Sequence, residues 1–338
     1  MSNKMTLEKI NAFLRRREVL TFGILIAIWV ILSLFNENYA TLNNLCTIMR
    51  TLSFFGIIAV GLSLVLVQGD KDMSTGGSAG FSAVFGTAMM LNTRCMGMQD
   101  TPREWLGVLI CVLITMCVGM LIGALTATLV VTMNLPPFIA TTAMRYILQG
   151  CIMIVTAGAY VYPLPASFNA LNNVGIPLGK AKISLYFLIM LVFLVILGVV
   201  MIRTKYGRSI YAVGSNRISA QLAGINTTRV RYTNYIILHA LCALSGMLNA
   251  SYITQGSPNI GRDWELTAVA ACAMGGISMK GGSGNMVGLL IGLFALFSIN
   301  SAIAYIGINT FLQDVVIGVV LLAIVVLEQV QSKRKIKA

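Results

Sequence analysis

The chain has 338 residues, 57% of them hydrophobic and only 10% charged, with a formal net charge of +13 and a mean hydropathy of +0.84. Soluble domains carry about 25% charged residues, so most of this surface faces lipid or other helices and a soluble globular fold is excluded. The positive charge does not point to nucleic acid, because it is gathered in the segments between apolar runs.

Crossing a hydrocarbon core takes about 20 apolar residues at about 1.5 Å each. In chain order the candidates are 19–35, 44–67, 76–91, 105–131, 138–156, 183–202, 232–254, 265–278, 285–300 and 311–327. The sequence thus predicts an all-α integral membrane protein with eight to ten spans, ten preferred. With the N-terminus inside, 17 of the 24 cations fall in inner segments and five in outer loops, while Arg50 and Arg145 fall within spans. Such a bias orients membrane proteins, and it predicts both termini in the cytoplasm. Residues 1–18 then form an inner N-terminal segment, 19–327 a single transmembrane domain, and 328–338 a basic tail. Apolar character begins at Val19 and no small-residue cleavage pattern follows Phe35, so the first run is expected to stay on the chain.

The longest outer segment, Ala157–Lys182, holds Tyr160, Tyr162, Pro163, Pro165 and Pro177; it suits either a docking surface or a plain connection. The seven Cys show no CxxC spacing and read as small apolar fillers. His239, the only histidine, lies mid-span without a partner motif and reads as a packed or helix-bonded imidazole, so no metal site is expected. Gly119-x3-Gly123 and Gly288-x3-Gly292 have the spacing of close helix contacts in lipid. A faint echo links 72–78 with 278–283, of the kind found where transporters contain repeats with broken helices.

Four stretches carry the functional reading. The first is Gly69-Asp70-Lys71-Asp72-Met73-Ser74-Thr75-Gly76-Gly77. An acid at a Gly-rich interruption between spans is costly unless solvated or paired; Lys71 is the nearest candidate partner for Asp72. A role in shaping a helix break is favoured over direct solute contact. The second, Asn134 to Thr141, has two prolines that force a helix start, and Arg145 beyond it must face the bundle interior or a wet cavity. The third is the polar, cationic island 203–231, with the pattern Gly207-Arg208-x2-Tyr211-Ala212-x-Gly214-x-Asn216-x3-Ala220-x3-Gly224-Ile225-Asn226. The fourth runs from Glu265-Leu266-Thr267-Ala268 through Gly275-Gly276-x3-Lys280-Gly281-Gly282-x-Gly284 to Asn300, Gly307, Gln313 and Gly318.

In this order the four resemble the permease subunits of ATP-driven (ABC) importers for ribose, galactose, xylose and related solutes, over about Tyr39 to Glu328. The family reads close to GGIDLSVGS, PFIATL, GRxIYAxGGNxxAAxxxGIN and ELDAIAA followed by GGxSxxGGxG. Departures are Asp70 and Lys71 in place of Gly and Ile, Ser215 in place of Gly, Thr267 in place of Asp, and Arg145, where the family more usually has an Arg at the position of Gln149.

The resemblance implies a fold similar to cobalamin-type importer permeases. It also implies a coupling role toward the ATPase for Gly207, Arg208, Tyr211, Gly214, Asn216, Ala220, Gly224 and Ile225. For Asp72, Ser74, Gly76, Pro137, Phe138, Thr141, Glu265 and Asn300 it implies positions at the helix break and translocation path. No residue is catalytic. The implied partners are a second permease chain, identical or a close paralogue, an ATP-binding subunit with two fused nucleotide-binding domains, and an extracytoplasmic solute-binding protein. ATP and Mg belong to the ATP-binding subunit, since this chain has no phosphate-loop motif. The setting is the plasma membrane of a bacterium, the inner membrane in a Gram-negative cell.

The resemblance implies that the solute is a monosaccharide or a similar small polar molecule. The 92–104 loop and Tyr305 to Asn309 lean toward galactose-like members. Two alternatives stand: an ABC permease for a nucleoside or sugar-like signalling molecule, and an ion-coupled secondary transporter, which needs intramembrane acids or a histidine.

Overall fold

Long apolar runs close all their backbone hydrogen bonds within one helix, which is the condition for crossing lipid. The computed structural model describes residues 17–36, 38–93, 97, 101, 103–179 and 181–307, with isolated positions between 312 and 326. Its helices are α1 (Arg17–Phe35), α2 (Leu42–Val67), α3 (Thr75–Asn92), α4 (Glu104–Ala127, continued by a π turn Thr128–Thr132), α5 (Pro137–Thr156), α6 (Ala166–Ala170), α7 (Leu185–Arg203), α8 (Lys205–Ser215), α9 (Arg217–Leu222), α10 (Thr227–Ile253), α11 (Trp264–Met274) and α12 (Met286–Ile306).

Six of these are long and apolar enough to cross a membrane: α2, α4 with its π turn, α5, α7, α10 and α12. Ten crossing helices are therefore not what the described residues show. The run at 76–91 does become helix α3, but its Thr, Gly and Ser content makes it a buried bundle helix rather than a lipid-facing one. The run at 265–278 becomes α11, whose 11 residues span about 16 Å, roughly half a hydrocarbon core. Most of 311–327 lies outside the described residues. The all-α expectation needs one addition, an antiparallel hairpin of β1 (Gly175–Leu178) and β2 (Ala181–Ser184).

Burial sorts the helices. Every residue of α2 from Gly56 to Val67 is buried, and α10 crosses it where Gly61 faces the Leu238 backbone. By contrast α4, α5 and α7 expose apolar outer stripes, with Leu113, Leu121 and Leu125 on α4, Ile147 and Ile154 on α5, and Val192, Val195 and Val199 on α7. A helix apolar all round suits either a core or lipid; here α2 takes the first and α4, α5 and α7 the second.

The glycine seams do what their spacing predicts. A Cβ on Gly119 would lie 2.6 Å from the His239 carbonyl oxygen, and one on Gly123 2.6 Å from that of Tyr235, so α4 rests on the α10 backbone itself. Gly275 and Gly292 likewise leave no room between α11 and α12.

The described residues of 157–184 make contacts with the bundle as well as connecting α5 to α7. They fold back over one end of the bundle through a Val161–Gly256 bridge, a Ser251 Oγ bond to the Phe168 carbonyl and a Ser167 amide bond to the Glu104 carboxylate. The island with α8 and α9 occupies the opposite end.

Gly123→Val should destabilise the domain by about 1–3 kcal/mol through overpacking. Gly150→Val, where a Cβ meets nothing within 4 Å, should be neutral. Thermal unfolding in detergent measures both.

Candidate functional site

Between α2 and α3 the chain is not helical. Residues 68–74 climb back from the island end along α10, and every backbone group freed by this interruption must find a partner in a dry setting. The Asp70 amide donates to the Val65 carbonyl, and the Gly69 amide to Leu66. Thr141 Oγ1 accepts from the Met73 amide at 3.0 Å. Asp72 Oδ1 accepts from the Ser74 amide at 2.7 Å and the Ser74 hydroxyl at 2.6 Å, an Asx turn that leads into α3.

Asp72 is wholly buried, and its second oxygen, Oδ2, lies 3.1 Å from His239 Nε2. His239 sits midway along α10. The expected Asp72–Lys71 pairing is thus corrected: the carboxylate turns inward to a residue 167 positions away, while Lys71 is exposed. The physical reason is direction, since the Asx turn commits Asp72 to the bundle interior and the next side chain back points the other way.

Two helices, the 18-residue α3 and the 11-residue α11, begin at this place and leave in opposite directions. Gly76 at the start of α3 packs on Gly261 and the Glu265 carboxylate, and Gly80 packs on Ile260. From there α3 runs toward Gly256 and the folded-back end, where Gly256 meets Thr87. Helix α11 runs toward the island, and the loop after it brings Gly281 against Gly69 and Gly214. The echo between 72–78 and 278–283 does not mark equivalent places, because the first opens α3 and the second follows α11.

Glu265, in the first turn of α11 and fully buried, lies where a helix dipole favours an anion. Arg145 of α5 reaches it at 2.8 Å and Asp263 at 2.7 Å. Five of the eight residues expected at the break and path therefore come together around residues 68–76: Asp72, Ser74, Gly76, Thr141 and Glu265. Pro137 only begins α5, and Phe138 points outward, 54% exposed. Asn300 lines a separate cavity of about 670 Å³, between α2, the start of α11 and α12, whose walls include Phe55, Trp264, Thr267 and Phe297.

The island is built from three N-caps. Thr204 accepts from the Gly207 amide, Asn216 from Ser219 and Asn226 from Arg229, which starts α8, α9 and α10 in turn; side-chain caps of this kind satisfy amides at a helix start. Gly224, at φ +83°, supplies the left-handed turn before Asn226 that few other residues adopt.

Gly207, Ile210 and Val213 are the buried face of α8. A Cβ on Gly214 would strike the Val67 carbonyl, and Ala220 is buried under α9. Gly207, Gly214 and Ala220 thus seat the island rather than forming its outer face. Tyr211 donates to the Gly284 carbonyl at 2.7 Å. Burial raises the phenol pKa of Tyr206 and Tyr211 above the usual 10. The outer face carries Arg208, Gln221 and two bare apolar side chains one turn apart, Ile218 at 73% and Leu222 at 84% exposure. The sequence pattern missed these two, although an i, i+4 apolar pair in a polar island is itself a signal. It also missed His239 and Arg231, whose partners lie far away in the chain.

His239→Leu should cost about 1–3 kcal/mol by leaving Asp72 unpaired. Lys71→Ala should change stability by less than about 0.5 kcal/mol. Unfolding of purified variants in detergent separates the two.

A family model described as branched-chain amino acid transport system / permease component matches residues 44–325. The chain is 32% identical over 308 residues to the ribose import permease protein of Bacillus subtilis (strain 168), covering 90% of each. It is 26% identical to the galactose/methyl galactoside import permease protein of Haemophilus influenzae, covering 97% of this chain and 99% of the other. It is 28% identical to the autoinducer 2 import system permease protein of Enterobacter sp. (strain 638), covering 94% and 88%. No solved structure matches. With its matched region spanning nearly the whole bundle, from the first turn of α2 to beyond α12, the chain belongs to the family of branched-chain amino acid transport system permease components.

Proposed function

We propose that the chain is the membrane-spanning permease subunit of an ATP-driven importer for a monosaccharide or similar small polar solute. Three of the relatives it matches are named as import permeases for ribose, galactose and autoinducer 2. In this reading ATP and Mg sit on a separate ATP-binding subunit, a second permease chain completes the path, and a soluble binding protein delivers solute to the folded-back 157–184 face. The termini and the island lie in the cytoplasm, and the membrane is the bacterial plasma membrane.

The observation that carries the reading is the outer face of α9. A six-residue helix, capped and seated on the bundle, presents Ile218 and Leu222 among polar and cationic neighbours. Apolar anchors inside a polar rim are the anatomy of a protein interface, and this one faces the side expected to meet the ATPase. Gly207, Gly214, Asn216, Ala220, Gly224 and Ile225 set the position of that face, and Arg208 adds charge beside it.

Leu222→Asp should leave insertion and yield unchanged while reducing co-purification of the ATP-binding subunit roughly tenfold or more, as loss of an interface anchor does. Undiminished co-purification together with normal uptake would overturn the docking role.

One observation favours an ion-coupled carrier as a second reading: Asp72 and His239 form a buried titratable pair midway along α10, the kind of group proton relays use. The Asx turn accounts for the acid structurally instead. Asp72→Asn, which keeps an acceptor for Ser74, should retain most ATP-driven uptake in membrane vesicles with the ion gradient collapsed. A proton-coupling role predicts that Asn, which cannot titrate, is inactive.

A further inference from the structure

At the island end of the break lies a charged cluster that the motif pattern does not contain, since Asp70 stands where the resembled family has Gly. Asp70 is 2% exposed and takes three ionic hydrogen bonds. Arg231 of α10 binds it side-on through one edge of its guanidinium, Nε to Oδ2 at 2.8 Å and Nη2 to Oδ1 at 3.1 Å. Arg217 of α9 donates from Nη2 to Oδ1 at 3.1 Å. The network continues through neutral groups. Gln68 Nε2 donates to Asp70 Oδ2 at 2.9 Å, Asn234 Nδ2 to Gln68 Oε1 at 2.6 Å, and Tyr206 Oη to Asn234 Oδ1 at 2.6 Å. Both helices of the island, α8 through Tyr206 and α9 through Arg217, are thereby tied to residues 68–70.

The two arginines have different jobs. The Arg231 side chain is 6% exposed, so Asp70 is the counter-ion that lets this cation be buried at all. The Arg217 side chain is 44% exposed, and α10 satisfies Asp70 without it. Burial therefore does not require the Arg217 contact. What it adds is a connection, from the helix bearing Ile218 and Leu222 to the carboxylate two residues before Asp72.

We propose that Asp70 and Arg217 form a latch that makes the α9 docking face and the 68–74 break move as one body, with Arg217 acting as a positioning residue for energy coupling. The inference rests on the docking role of α9 proposed above. The other contacts between island and bundle are packing and neutral bonds: Ile210, Val213 and Ala220 are buried in the core, Gly214 meets Val67 and Gly282, and Tyr211 bonds to Gly284. Ala220 seats α9 by packing, and Arg217 gives α9 its ionic contact with the break.

The test is hydrogen exchange on the full permease–ATPase complex, without nucleotide and with ADP trapped by vanadate after ATP hydrolysis. In the native complex trapping should change protection in both 207–225 and 68–76. In Arg217→Ala the ATPase should still co-purify and the change in 207–225 should persist, while the change in 68–76 should fall to less than about a third. Arg217→Lys, which keeps the charge and one donor, should restore more than half of it.

A response in 68–76 that is the same in Arg217→Ala as in the native complex overturns the latch, as does a native break that does not respond to nucleotide. Loss of ATPase co-purification in Arg217→Ala also overturns it, by making Arg217 part of the docking face and leaving the docking role of α9 intact. A native chain that co-purifies with no ATP-binding subunit overturns the docking role and the latch with it. Asp70→Ala is unsuitable as the primary variant because it strands buried Arg231.

Discussion

An interrupted backbone inside a bundle of apolar helices is tolerated only when each freed polar group is satisfied by protein, and this constraint organises the molecule around residues 68–74. The partners come from almost every neighbouring element. Thr141 of α5 accepts from Met73, the Gly282 amide from the loop after α11 donates to the Val67 carbonyl that ends α2, His239 of α10 meets Asp72, and Arg231 and Arg217 meet Asp70. The prolines before α5, the glycines after α11 and the cap at Asn216 are each placed so that one of these contacts can form. Gln68, Asp70, Asp72, Ser74, Thr141, Arg231, Asn234 and His239 are buried polar residues whose bonds converge on this interruption.

What the sequence shows and what it hides divide along the range of the physics involved. Apolar length is local, so the helices at 44–67, 105–131, 138–156 and 183–202 are read to within about two residues, while α10 starts at Thr227 rather than 232 and α12 ends at Ile306 rather than 300. Caps are local too, but the motif pattern makes no use of them: Asn216 and Asn226 start α9 and α10, the latter five residues before the expected run. The helix starting at Trp264 was legible as apolar and as a short run, 265–278; its end at Met274 is set by where Gly275 meets Gly288 of another helix. Asp72 was legible as an acid in need of a partner. That the partner is His239 rather than Lys71 depends on a fold that brings residues 167 positions apart into contact. The same holds for the inward turn of Gly214 and Ala220: the motif spacing marks these positions, and only packing shows that they face inward.

The polar content of the break also explains why α3 and α11 are built so differently from the helices that face lipid. Both start where Gly76 meets Gly261 and Glu265, with their positive ends close together, and a buried carboxylate in the first turn of α11 offsets that positive field. Arg145 then balances Glu265 and Asp263 from α5. A bulkier residue at Gly76 would push the two helix starts apart and separate the acid from the dipole it answers. The small residues here are therefore an electrostatic requirement as much as a packing one.

This arrangement gives a force applied at the island a short route inward. Helix α9 is too short to bend, its N-cap fixes it to the end of α8, and α8 in turn lies against Val67 through Gly214. Five residues beyond Val67 the chain is in contact with His239 at mid-bundle, and at Gly76 with the start of α11. Closely packed interiors transmit displacement rather than absorb it, and an unhelical segment between rigid elements is where a displacement can be taken up by backbone torsions. On the proposed reading, the break is both the place where the bundle was hardest to stabilise and the place where it can change shape. Its buried pairs, Asp70 with two arginines and Asp72 with one histidine, limit that change to alternatives in which each charge keeps a partner.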